Sequence, residues 1–105
     1  MSEGTLKKQI MSYLNTLPDA YFRVIQVRGI KGRRSLTTGV PDIIGTYFGR
    51  AVAIEVKLPG NKLSIEQNEF FQGWIKRGNG TAMVATDLGT VISALDLIRK
   101  DVKGI

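Results

Sequence analysis

The run Ala51-Val52-Ala53-Ile54-Glu55-Val56-Lys57 constrains this chain more than any other. Strand side chains alternate faces, so Val52, Ile54 and Val56 share one face while Glu55 and Lys57 share the other. Alanines precede Glu55 on that second face, so the run lacks the polar alternation of a half-wetted strand. A strand apolar on both faces is a central strand of a covered sheet. Charges at its end then need a reason, because an unpaired charge is costly to desolvate. Just upstream, Val40-Pro41-Asp42-Ile43-Ile44 is a second apolar run that opens on an acid, with a short turn at Phe48-Gly49-Arg50 between the two. Asp42 at the start of one strand can meet Glu55 across the pair. The alternative is an exposed salt bridge between Glu55 and Lys57.

At 105 residues and 43% apolar composition the expectation is one domain, 1–105, with a core that needs no staples. The chain has no Cys and no His, which excludes disulfides, thiolate sites, zinc-type sites and histidine general bases. Any metal must be held by oxygens, which favours Mg²⁺, with Mn²⁺ as a substitute. No apolar run has the length of a signal peptide or a membrane span, so the expectation is an intracellular, cytoplasmic protein with no membrane partner, in the host cytoplasm if the source is viral. The net charge of +6 suits a polyanionic partner, nucleic acid being the commonest, although plain solubility explains basic charge as well.

Periodicity predicts the remaining elements. Leu6, Ile10, Tyr13, Leu14 and Leu17 recur at helical spacing from Ser2 to Pro18. Tyr21 to Val27 reads as a strand. Ser64-Ile65-Glu66-Gln67 is a capping-box pattern, opening a helix with Ile65, Phe70, Phe71, Trp74 and Ile75 on its apolar face and Gly78 just past its end. Thr81 to Ala85 is a short buried strand, and Asp87 caps a last helix carrying Val91, Ile92, Leu95 and Ile98, with Arg99 and Lys100 toward its end. The aromatic residues Tyr21, Phe22, Phe70, Phe71 and Trp74 are placed in the core. The expected order is α-β-β-β-α-β-α.

Between the first two strands lies a glycine-punctuated segment with Arg28, Lys31, Arg33 and Arg34 and no acid. It reads either as a solvated surface loop or as a phosphate grip, in which arginine forks bind phosphate bidentately. Its position directly before Asp42 favours the grip, and makes these four residues the candidate DNA contacts.

Two carboxylates and an ammonium gathered at a strand end can hold a hard divalent cation and steer a water. With Asp42, Glu55-Val56-Lys57, Glu3 opening the first helix and Gln67 in the helix after the site, the chain resembles the PD-(D/E)xK nuclease superfamily, and within it the VRR-NUC family of stand-alone viral and bacterial type. The resemblance covers nearly the whole chain. It implies an α/β, restriction-endonuclease-like core with a mixed central sheet flanked by helices. It also implies that Asp42, Glu55 and the Val56 backbone carbonyl bind the metal, and that Lys57 orients or activates the attacking water. Gln67 would help near that water or the scissile phosphate; its other role, half of the capping box, is compatible. Glu3 is a further candidate ligand or simply a first-turn acid at a positive helix end.

The activity that follows is Mg²⁺-dependent hydrolysis of DNA phosphodiesters by an endonuclease. With no separate target-reading domain expected, structure recognition is favoured over sequence recognition. The resemblance adds a homodimer acting on branched DNA such as Holliday junctions, where a two-fold axis relates two incisions. The alternatives are a non-catalytic nucleic-acid-binding module and a structural subunit that retain a nuclease fold.

Overall fold

The computed structural model describes residues 1–25 and 38–105. The elements run α1 (Glu3–Leu14), β1 (Ala20–Val24), β2 (Ile43–Tyr47), β3 (Arg50–Val56), α2 (Ile65–Lys76), β4 (Thr81–Ala85) and α3 (Leu88–Lys103), the order expected from the sequence. The basic segment with Arg28, Lys31, Arg33 and Arg34, and the end of the strand expected to reach Val27, lie outside the described residues.

The four strands form one mixed sheet in the order β1-β2-β3-β4. The first two pairings are antiparallel and β3 lies parallel to β4. Helix α2 is the crossover that a parallel pair requires. The β2–β3 hairpin turns through Phe48 and Gly49, at φ 50° and 76°. Positive φ at both central positions matches the right-handed twist of the flanking strands, and glycine adopts it without a side-chain penalty.

Helices α1 and α3 cover one face of the sheet. Leu6, Ile10 and Leu14 of α1 and Val91, Leu95 and Ile98 of α3 bury against Phe22, Ile43, Tyr47, Val52, Ile54, Val56 and Met83. Strand β3 is buried from Val52 through Val56, the central position its composition predicted. Each helix starts on a side-chain cap: Ser2 Oγ accepts from the Thr5 N–H, Ser64 Oγ from Gln67, and Asp87 Oδ1 from Thr90. Helix α1 stops short of Leu17, because Thr16 turns back to donate its hydroxyl to the Tyr13 carbonyl.

Helix α2 lies on the other face and packs against β4. Covering only that side of the sheet, it buries Phe71 but leaves Ile65 and Ile75 exposed, contrary to the apolar face expected from spacing. Phe70 and Trp74 are half-buried and stack at 5.4 Å, and Trp74 Nε1 donates to the Thr81 carbonyl at 2.9 Å. Gly78 follows the C-cap residue Arg77 as expected, and the left-handed turn comes one residue later at Asn79. Two further expectations are corrected. Ile92 is exposed on α3, and Tyr21 is 65% exposed rather than in the core, because none of the described helices covers its face of β1. Among the described residues no helix is long and apolar enough to cross a membrane.

Candidate active site

The β2–β3 register places Ile43 opposite Ile54, so one step further Asp42 stands opposite Glu55. The two acids are laced together where the ladder ends. Asp42 Oδ2 accepts the Val56 N–H at 2.8 Å, and Glu55 Oε1 accepts the Asp42 N–H at 3.2 Å. On the other side of β2, the Ile25 N–H donates to the Asp42 carbonyl at 2.8 Å. Each carboxylate is therefore oriented by the backbone of its neighbour's strand rather than by a mobile loop.

Glu55 Oε2 faces α2 and Lys57. It accepts from Gln67 Nε2 at 2.8 Å and lies 3.7 Å from Lys57 Nζ. Gln67 closes the capping box expected of it and also reaches the site. Its Oε1 accepts the Ser64 N–H at 2.9 Å, which completes the capping box, while its amide nitrogen binds Glu55. A capping box has room for this because its side chain folds back to the helix start, and the start of α2 adjoins the end of β3. The fourth neighbour comes from α1: Lys7 Nζ lies 3.4 Å from Asp42 Oδ1.

Glu55 is 4% exposed, and its carboxyl pKa is pushed up from the ordinary 4.5 to about 7. Burial is the main cause, and the Asp42 carboxylate adds to it, while Lys57 and the Asp42 N–H pull the other way. Nearby Lys57 does not cancel that penalty. A buried acid beside a second acid is a group that a proton or a cation relieves.

The donor set fits a hard divalent cation. Asp42 and Glu55 supply anionic oxygens, and a cation such as Mg²⁺ commonly takes one or two carboxylates and completes its shell with water and substrate oxygens. Along an extended strand a residue's N–H and C=O point to the same neighbour. Since the Val56 N–H reaches Asp42, its carbonyl faces the same side, where a third protein oxygen is wanted. Among the described residues no cluster of three acids forms. Glu3 is thus not gathered with Asp42 and Glu55, and it sits exposed in the first turn of α1.

The structure therefore brings together Asp42, Glu55, Lys57 and Gln67, while Arg28, Lys31, Arg33 and Arg34 lie outside the described residues. Sequence reasoning missed Lys7. No local pattern marked it, since its partner Asp42 lies thirty-five positions away.

No protein-family model matches the chain, and no curated protein matches it. A solved structure described as a VRR_NUC domain is similar over 90% of this chain and 94% of its own, at 23% identity and a TM-score of 0.69. The α/β architecture, with four strands in a mixed sheet flanked by helices, is thus the fold of that VRR_NUC domain.

Proposed function

We propose that this protein is a divalent-metal-dependent endonuclease of the VRR-NUC type that hydrolyses DNA phosphodiesters. The observation that carries the reading is the opposition of Asp42 and Glu55 across the β2–β3 ladder, with Lys57 at the same strand end. The fold shared with a VRR_NUC domain supports it.

Asp42, Glu55 and the Val56 carbonyl would hold Mg²⁺, with Mn²⁺ able to replace it. The bound cation supplies neutralising charge for a phosphate oxygen and lowers the pKa of a coordinated water. The remaining work falls to the chain. Gln67 fixes the rotamer of Glu55 through Oε2, so that the acid meets its cation without reorganising. Lys57 brings an ammonium beside Glu55 Oε2, where its N–H groups orient the attacking water and balance charge that builds on the phosphate oxygens. The water oxygen bonds to phosphorus as the phosphorus–oxygen bond to the leaving sugar breaks, the water giving up one proton and the departing sugar oxygen taking one up. The basic segment with Arg28, Lys31, Arg33 and Arg34 grips flanking phosphates. Branched DNA, a Holliday junction being the type case, is the proposed substrate. A homodimer would present one site to each of two strands.

Cleavage of supercoiled plasmid and of a four-way junction, with and without Mg²⁺, tests this reading. The wild type cuts only with metal, and Asp42→Asn and Glu55→Gln each lose at least about a hundredfold in rate, since each removes a charge acting in the transition state. Both variants retain DNA binding, because they remove negative charge facing phosphates. Sedimentation at micromolar protein reads the mass. A wild type that binds the junction but never cuts it would return the protein to a binding module. A monomer that cuts linear and branched DNA alike would remove the junction reading while leaving the chemistry.

A further inference from the structure

Alternation and register place three cross-sheet rows on the face that carries Glu55. Asp42 stands opposite Glu55; Arg23, Ile44 and Ala53 form the next row, and Tyr21, Thr46 and Ala51 the row beyond. Helix α2 packs on the β4 side of this face, and none of the described helices lies over the β1–β2 side. Tyr21 is 65% exposed there, and Arg23 and Thr46 are exposed beside it. Tyr21 thus presents an aromatic ring to solvent on the same face of the sheet as Glu55.

Tyr21 and Arg23 are not two independent surface residues. Arg23 Nε donates to the Tyr21 hydroxyl at 3.1 Å, and the guanidinium carbon lies 5.5 Å from the ring centroid. The guanidinium thus lies over the ring toward its hydroxyl, while Tyr21 as a whole remains 65% exposed. The two rows contain no acid, and Arg23 adds a cation one row from Asp42. Successive rows on one face of a sheet are spaced by roughly 7 Å, a step that an extended nucleotide strand covers with about one nucleotide.

We infer that the open face of β1–β2 is a docking platform for an unpaired stretch of the DNA strand beside the phosphate being cut, with a base stacked on Tyr21 and a phosphate held by Arg23. The inference rests on the nuclease reading for the place of the scissile phosphate. Aromatic stacking accepts any base, because every base offers a π face, and an arginine fork binds phosphate without reading sequence. The platform thus selects for unpaired strand rather than for sequence. A fully paired duplex keeps its bases stacked inside and cannot use the ring. The substrate class is accordingly DNA with an unpaired or easily unpaired arm next to the cut.

The test measures binding without metal, so that nothing is cleaved, using a splayed duplex and a fully paired duplex of equal length. 2-Aminopurine sits one or two nucleotides into the unpaired arm. Tyr21→Ala should weaken binding to the splayed duplex by about tenfold, within the range of one base–aromatic stack, and leave the paired duplex unchanged. Its 2-aminopurine signal should lose the change seen with wild type, and Tyr21→Phe should restore that change. Arg23→Ala should flatten the salt dependence on the splayed arm by about 0.7 in log–log slope, the value of one phosphate on single strand. Circular dichroism melts matching wild type confirm that these exposed substitutions leave the fold intact. Equal binding by Tyr21→Ala and wild type, or equal losses on both DNAs, would overturn the platform. Metal-dependent cleavage by wild type, scored separately, keeps the two readings apart: cutting with no Tyr21 effect sinks only the platform. A Tyr21 effect without cutting sinks only the nuclease.

Discussion

Gln67 donates from Nε2 to Glu55 Oε2 at 2.8 Å while its Oε1 holds the Ser64 N–H at 2.9 Å, so one side chain both closes a helix cap and fixes a site carboxylate. The two duties separate by substitution. Ser64→Ala removes the cap oxygen and should cost about 1 kcal/mol of stability with little change in Mg²⁺ affinity. Gln67→Glu keeps an oxygen for the Ser64 N–H but sets a third carboxylate beside Glu55, so its deficit should appear at pH 8 and shrink toward pH 5. Urea melts at the two pH values and a calorimetric Mg²⁺ titration check both. A Ser64→Ala protein with strongly weakened metal binding would show that cap and site are not separable.

Stability of the metal-free protein should fall as pH rises from about 4.5 to about 7. Burial, then the Asp42 charge, raises the Glu55 pKa in the folded state to about 7, so the folded chain keeps a proton that the unfolded chain has released. The stability this group lends is complete below about 4.5 and lost above about 7, on the order of 3 kcal/mol in all. Glu55→Gln should be flat across that window and more stable than wild type at pH 8. Saturating Mg²⁺ should lift the wild type at pH 8 by a comparable amount, roughly 3 kcal/mol at a hundredfold excess over Kd. Thermal melts across the pH range decide it, and equal slopes in wild type and Glu55→Gln would place the effect on another group.

Lys7 should compete with a bound cation for Asp42. Its ammonium lies 3.4 Å from Asp42 Oδ1 with both side chains part-exposed, a geometry worth at most about 1 kcal/mol. Lys7→Met should therefore bind Mg²⁺ or Mn²⁺ a few-fold more tightly in calorimetry while slightly weakening DNA. Weaker metal binding by Lys7→Met would mean that the lysine organises Asp42 instead of competing for it.

Neutralising Arg28, Lys31, Arg33 and Arg34 should weaken DNA binding without changing sequence preference. Every one of these side chains that grips a phosphate should, once neutralised, reduce the slope of log K against log salt by about 0.9 on duplex. Fluorescence anisotropy at several salt concentrations measures the slope, and an unchanged value would make this a plain surface segment.

The sequence alone determined what depends on short-range pattern. The apolar run before Glu55 marked β3 as a buried strand, Phe48-Gly49-Arg50 marked the turn between β2 and β3, and Ser64, Gln67 and Asp87 marked the helix starts, because period, φ preference and caps act over a few residues. The sequence placed Asp42 where it can meet Glu55, but the structure set the register: Arg50 belongs to β3, so the turn is only Phe48-Gly49 and Asp42 falls opposite Glu55. The tertiary structure decided what depends on which surfaces meet. Helical spacing gave Ile65, Ile75 and Ile92 an apolar stripe, yet the width of the face that a partner covers is set by the packing of α2 on β4 and α3 on the sheet, which left all three exposed. Tyr21 looked like core because its strand is apolar in composition, but only strand order showed it at an edge with no described helix above it. Lys7 reached Asp42 because α1 packs across the sheet end, a contact between residues thirty-five positions apart that no local pattern encodes.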